Sequence, residues 1–314
     1  MKKWKILFVG VGSIAKRHIK NIVSIMEKRN EAIQVDVLRS GKGSDLEDDI
    51  KCFISSVYNL DSQVSGGYDI VFVTNPTQLH IETIIKFHDK SQHFFIEKPL
   101  CMLTQTDLSV LDFRKESIYY VAAPLRYNPV IQYIKENICH ENILSVRSIS
   151  SSYLPDWRQD IDYRNTYSAY RNMGGGVSID LIHEWDYLTY LFGFPEKMKC
   201  ICGKKSKLEI DSDDIAIYIA EYKDKTTEIH LDYFGQKTIR EIMIFTDNDT
   251  IIGDIANNEI IFLKTGKRIL FNETRNDYQK RELYSFLDMI SGKIVNHNNI
   301  SHALEVLKLT QGEL

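Results

Sequence analysis

Residues 174–193, GGGVSIDLIHEWDYLTYLFG, place Asp180, His183 and Asp186 three apart among apolar neighbours. On one continuous amphipathic helix that spacing puts all three side chains along one face. An imidazole between two carboxylates suits proton transfer, because histidine takes up and gives back a proton near neutral pH. The same pattern also fits a satisfied core histidine on a half-buried helix. A metal site is not expected, since Asp180, His183 and Glu184 lack the HExxH arrangement and no third ligand group accompanies them. The three leading glycines allow backbone to approach a ligand closely.

A second set of chemistry-bearing residues lies in the first third of the chain. Lys5 to Val9 form a short apolar run that suits a strand buried on both faces, and Gly10-Val11-Gly12-Ser13-Ile14-Ala15 then turns into a helical pattern. This is the order of a dinucleotide fingerprint: Gly10 for the turn, Gly12 for close approach of a pyrophosphate, and small Ala15 for helix–strand packing. The helix N-terminus, with Ser13 and Ile14, would hold the anion. At the end of the next strand, IQVDVLRSGKG, Arg39 replaces the acidic residue expected on a free ribose, and with Ser40 and Lys42 suits a 2′-phosphate. NADP is therefore preferred over NAD, although a solvated basic loop gives the same residues.

The elements that position these groups alternate. YDIVFVTNP, HFFIEKP and IYYVAAP read as further strands, separated by a helical pattern from Gln78 to Lys90 and by another helix. Such alternation predicts an α/β domain built on a Rossmann, doubly wound parallel sheet, whose ligands bind beyond the strands' carboxyl ends. Thr74, Asn75, Pro76, Glu97, Lys98 and Pro99 occupy those ends. Beyond residue 140, ILSVRSISSSYL, KMKCICGKK, DIAIYIAEY, TTEIHLDYF, REIMIFTDND, TIIGDIANNEIIFLKT and KRILFNE are alternating or apolar runs, so strands dominate, and Ser301 to Leu314 reads as a closing helix.

With 314 residues, 43% of them hydrophobic, the chain is long enough for two domains. A net charge of −4 argues against nucleic acid or an anionic membrane as partner. Five cysteines, odd in number and without repeated CxxC, fit free thiols in a reducing compartment, with Cys200 and Cys202 on one face of a strand. MKKWKILFVGVG is too short and glycine-broken for a secretory signal, and no run approaches the roughly 20 apolar residues of a membrane span. A cytoplasmic location is expected.

GVGSIA, TNPTQLH, EKPL, LRYNP and then GGG followed by Asp and His on a helix, in that order over nearly the whole chain, resemble the Gfo/Idh/MocA oxidoreductases. The form of residues 153–193 is similar to the branch associated with bacterial surface-polysaccharide and nonulosonate sugars. The resemblance implies a cofactor domain over 1–124 and an α+β substrate domain over 125–314, the latter with an open, mostly antiparallel sheet and the last helix packing back on the first domain. It implies NADP or NAD as cofactor, a sugar as substrate, and a homodimer or homotetramer formed through that sheet. Lys98 would stabilise alkoxide character on the reacting oxygen, with His183 as acid/base and Asp180 beside it. The family commonly spaces that Asp and His four apart; here they are three apart, which rotates Asp180 relative to His183. His80 would pack near the cofactor, Asn75 and Pro76 would shape the nicotinamide side, and Glu97 would orient structure. Arg126, Tyr153, Trp157, Arg158, Tyr163 and Arg164 suit stacking on sugar faces and holding anionic groups. The leading expectation is an NADP-preferring sugar dehydrogenase or reductase. Two others stand beside it: a lyase or glycosidase with transient oxidation and no net redox, and a non-catalytic nucleotide-binding sensor.

Overall fold

The apolar run at residues 5–9 forms most of β1 (Lys3–Val9), where Ile6, Leu7 and Phe8 are fully buried. In this computed structural model residues 3–41 and 45–314 are described, so Lys42 lies outside the described residues. Around β1 stand β2 (Ala32–Leu38), β3 (Ile54–Tyr58), β4 (Tyr68–Val73), β5 (Ser91–Ile96) and β6 (Tyr119–Val121) in the order β3-β2-β1-β4-β5-β6. All their pairings are parallel, which is the expected doubly wound sheet.

Helix α1 (Ser13–Lys28) turns Ala15, His18, Ile19, Ile22 and Met26 inward. After it come α2 (Asp48–Lys51) and α3 (His80–Phe87). The helix expected over 78–90 is shorter because its ends tighten into 3-10 turns at Thr77–Leu79 and His88–Lys90. The helix expected between β5 and β6 does not form. That segment holds a 3-10 turn, Leu108–Val110, and side chains there bond to nearby backbone: Thr106 Oγ1 donates to Leu103 O and the Asp107 carboxylate accepts from Ser109 N. Such local bonds compete with a helical ladder.

The second sheet is built from β7 (Ile143–Tyr153), β8 (Lys197–Gly203), β9 (Ile215–Glu221), β10 (Thr226–Asp232), β11 (Phe234–Thr246), β12 (Thr250–Asp254), β13 (Glu259–Phe262) and β14 (Arg268–Leu270). Its order is β14-β13-β12-β11-β7-β10-β9-β8, antiparallel except where β10 meets β7. The single run expected from 250 to 265 is a hairpin, reversed with Asn258 at φ 56°. Helices α4 (Pro129–Asn137), α5 (Val177–Asp180) and α6 (His183–Phe192) precede β8, and α7 (Arg275–Ile290) and α8 (Ile300–Thr310) close the chain.

Two compact units result: Met1–Ala122 with Gln279–Leu304, and Ala123–Tyr278 with Glu305–Leu314. The return of Gln279–Leu304 to the first unit differs from the 125–314 domain expected from sequence. Its reason is packing. Leu283, Phe286, Leu287 and Met289 of α7 are buried in the first unit's core, and Phe286 stands edge-on to Phe95 at 5.3 Å. Phe8, Phe72 and Phe95 stack at 4.4 and 4.9 Å beneath it. Each fully buried Phe is worth about 1.5–3 kcal/mol, so detaching α7 would uncover a large part of that core. In the second unit α6 buries Trp185 and Tyr187, the former edge-on to Tyr218 at 5.3 Å. Among the described residues no helix is long and apolar enough to cross a membrane, no group of three or more His, Cys, Asp or Glu could hold a metal, and all five cysteines are free.

Candidate functional site

The glycine turn is shaped by two different demands. Gly10 adopts φ 90°, and a Cβ there would lie 2.6 Å from the Asn75 Cα, so the β1 turn is pressed against the end of β4. Thr74 fastens the contact, its hydroxyl donating to the carbonyls of Val9 and Gly10 at 3.1 and 2.8 Å. The Thr74 hydroxyl is thus engaged by backbone. Gly12 differs: a Cβ there would meet nothing within 4 Å. It precedes α1, whose first turn has no acidic residue and no side-chain cap. Open space at Gly12, with uncapped N–H groups of Ser13 and Ile14 behind it, is what a dinucleotide's pyrophosphate requires. Ala15 is fully buried against the core, as its small size at that position predicts. Asn75 adds a buried Oδ1 with no partner, while its Nδ2 donates to Thr83 at 2.7 Å. These residues fit a nicotinamide dinucleotide.

Arg39 and Ser40 directly follow β2, and Arg39 N donates to Tyr58 O at 3.0 Å. The acidic residue within β2, Asp36, is fully buried and accepts from the Tyr68 hydroxyl at 2.9 Å. It is therefore committed inside the protein and does not replace Arg39 at the strand end.

At the end of β5, Glu97 Oε1 lies 2.6 Å from Nε2 of His18, which is 1% exposed on α1 and packs edge-on to Phe95. Burial raises the Glu97 pKa, but the His18 bond and the charges of His18, Lys98 and His80 outweigh it and hold the carboxyl below its ordinary value. Glu97 is thus an anchor for the segment carrying Lys98, whose peptide bond to Pro99 is cis. His80 is a second anchor: its ring nitrogens lie 3.0 Å from Pro99 O and 2.9 Å from Asn75 O. Burial pushes its pKa down, against the opposing pull of those carbonyls and of Glu97. His80 therefore ties the Asn75–Pro76 turn to the Lys98–Pro99 turn.

The continuous helix expected after the three glycines is two helices. Leu181 and Ile182 break α5 from α6, Leu181 having ψ 27°, so the three-residue spacing of Asp180, His183 and Asp186 no longer defines one face. A Cβ at Gly175 would collide with the Tyr167 carbonyl oxygen and lie 2.7 Å from that of Ser168. Gly175 thus serves close packing within the protein. Asp180 ends α5, 5% exposed, and accepts from the Tyr233 hydroxyl at 2.5 Å. The phenol of Tyr167, 40% exposed, feels the same carboxylate. Burial and the Asp180 carboxylate push both tyrosine pKa values up, so both stay protonated as donors. His183 begins α6, partly exposed. Its neighbour Glu184 is fully buried and accepts from Arg240 at 2.7 and 3.3 Å, which fixes the first turn of α6 to β11.

Asp186 departs from the expected polar row because Arg126 claims it. The Arg126 Nε and Nη2 donate to its two oxygens at 3.0 and 2.8 Å, both residues buried. Arg126, expected among the sugar ligands, is held by Asp186. Arg164 is likewise engaged, by Asp162 and Glu209, and Tyr163 accepts from Glu209 N at 3.2 Å. Tyr153, Trp157 and Arg158 do come together, in a cleft of about 390 Å³ that Asp156, Gln236 and Arg275 also line. Sequence reasoning missed His18, Tyr167, Tyr233 and Arg275. Only His18 had a local signal, a histidine on the inward stripe of α1; the others arrive through tertiary folding.

Residues 4–116 match the oxidoreductase family's NAD-binding Rossmann fold, and residues 135–312 match its C-terminal alpha/beta domain. The chain belongs to the Gfo/Idh/MocA oxidoreductase family. Among curated relatives, the uncharacterized oxidoreductase YrbE of Bacillus subtilis (strain 168) is 27% identical over 188 residues, covering 59% of this chain and 52% of that protein. The 2,7-anhydro-N-acetylneuraminate hydratase of Mediterraneibacter gnavus is 23% identical over 207 residues, 64% of this chain and 54% of that protein. The chain thus matches about half the length of these relatives. A solved levoglucosan dehydrogenase in complex with NADH and levoglucosan superposes with TM-score 0.83 at 15% identity, over 99% of this chain and 96% of that one, a likeness of fold.

Proposed function

We propose that the protein transfers hydride between a nicotinamide cofactor, NADP(H) in preference to NAD(H), and a hydroxyl- or keto-bearing carbon of a sugar or nucleotide-linked sugar in bacterial surface carbohydrate synthesis. The observation that carries this reading is the open space at Gly12 over an uncapped α1 N-terminus, in a chain of an oxidoreductase family. The nicotinamide, when bound, accepts or returns the hydride. Gly12, Ser13 and Ile14 would bind the pyrophosphate through backbone, and the orphan Asn75 Oδ1 would accept from a cofactor hydroxyl or amide. Lys98 stabilises negative charge on the reacting oxygen, and His183 takes or supplies its proton. Asp180, held by the Tyr233 phenol, keeps a fixed carboxylate three residues before His183.

Arg39 favours NADP, since a guanidinium on a 2′-phosphate makes charge-assisted hydrogen bonds of roughly 1.5–3 kcal/mol. Arg39→Ala should weaken NADPH binding about tenfold or more and spare NADH; equal losses for both would overturn the preference. The partial match to a hydratase favours one second reading, a reaction without net redox. Incubation of the protein with a sugar panel and added NADP⁺ or NAD⁺ separates them. Stoichiometric reduced cofactor and keto-sugar are expected, whereas converted sugar with no accumulated reduced cofactor would establish the second reading.

A further inference from the structure

Most arginines of this protein are set against acids: Arg29 on Asp288, Arg147 on Glu228, Arg171 on Asp213 and Arg268 on Glu259, besides the three pairs above. Arg158 and Arg275 are different. Among the described residues neither side chain has a hydrogen bond or ion pair, and both line the same cleft of about 390 Å³. Arg158 follows the turn Leu154–Trp157 and Arg275 is the first residue of α7, so folding brings together charges 117 positions apart, 275 minus 158. Two unpaired guanidiniums facing one space repel each other, and an anion between them relieves that repulsion.

The rest of the cleft suits a sugar. Trp157 is held in place, its indole donating to Ser152 Oγ at 2.9 Å while its ring stands edge-on to Tyr233 at 5.3 Å. It remains 38% exposed, which leaves apolar ring surface for the C–H face of a pyranose. Tyr233, behind Trp157, in turn donates to Asp180. Asp156 also lines the cleft and accepts hydroxyls; against it the two arginines leave one excess positive charge. The volume lies in the range of small-molecule sites, roughly 300–1,000 Å³.

We propose that this cleft binds the substrate through an anionic oxygen group, a carboxylate or a phosphate, clamped between Arg158 and Arg275 with the sugar ring on Trp157. The substrate class is then an acidic or phosphorylated sugar, a refinement that rests on the sugar-oxidoreductase reading. Calorimetric titration of the full chain with glucuronate, glucose 1-phosphate and methyl glucoside tests it. The two anions should bind about tenfold or more tighter than methyl glucoside. Arg275→Gln and Arg158→Gln should each erase most of that gain, and Arg275→Lys should keep part of it. A gain for glucuronate alone assigns a carboxylate, and a gain for glucose 1-phosphate alone assigns a phosphate. Equal affinity for all three sugars, or anion affinity unchanged in both Gln variants with wild-type melting, overturns the proposal. Because the readout is binding, it separates from the redox reading: a clamp that survives while no sugar reduces cofactor would fail that reading and leave this one standing.

Discussion

Two glycine-rich turns each lead into a helix in this molecule, and they do opposite things. At Gly12 the missing side chain leaves open space before α1, whereas at Gly175 the missing side chain is filled by the carbonyls of Tyr167 and Ser168. The first glycine leaves room that the proposed cofactor would use, and the second is used by the polypeptide itself. The lesson is that glycine in a motif reports a close approach without naming what approaches. The neighbours decide: an uncapped helix end at α1, and backbone carbonyls packed against the turn before α5.

The largest effect should come from filling the second turn. Gly175→Ala places a methyl on backbone oxygens that cannot move without displacing Tyr167, so we expect failure to fold or a loss of well over the ~1–3 kcal/mol of ordinary strained positions, read by urea unfolding. A variant as stable as wild type would mean that the turn tolerates displacement. Next, Asp186→Ala removes the carboxylate paired with the buried Arg126 guanidinium and should cost about 3–5 kcal/mol. A small loss instead would show that Arg126 finds water, and would reopen it as a substrate ligand. Filling the first turn should do the reverse of filling the second. Gly12→Ala should melt within a few degrees of wild type yet lose most cofactor affinity in a fluorescence titration; unchanged affinity would remove the pyrophosphate from this turn.

The first of these turns was legible in the sequence and the second only half so. A buried strand, two glycines and a small residue specify Gly10, Gly12 and Ala15 because their constraints are local. Asp180, His183 and Asp186 were read as one face because three-residue spacing implies a continuous helix, and nothing local in DLIHEWD announces the break at Leu181–Ile182. Nor does a local pattern disclose that Asp186 is taken by Arg126, 60 residues away, or that Tyr233 reaches Asp180 across 53. The missing helix between β5 and β6 has the same origin in reverse, since the side-chain bonds of Thr106 and Asp107 stopped what apolar content suggested.

The smallest predicted effect concerns His80, which joins the Asn75–Pro76 turn to the Lys98–Pro99 turn. Its pKa in the folded protein lies below the usual 6.5. The unfolded chain therefore binds the proton first, and the stability His80 contributes is present above about pH 6.5 and lost as pH falls toward the folded value. His80→Gln should show a shallower loss of unfolding free energy between pH 7.5 and 5.5 than wild type. An identical slope in the two proteins would show that His80 does not titrate between those limits.

In the function proposed here Lys98 and His183 act on the reacting oxygen, whereas Gly12 and the α1 N-terminus hold the cofactor's pyrophosphate. The direct measurement is cofactor reduction by wild type, Lys98→Met and His183→Asn with whichever sugar the wild type oxidises, alongside cofactor titration of each protein. We predict turnover reduced about 100- to 1000-fold in Lys98→Met, a reduced rate with an altered pH profile in His183→Asn, and cofactor affinity near wild type in both. Near-normal turnover in folded Lys98→Met, or an unchanged pH profile in His183→Asn, would contradict it.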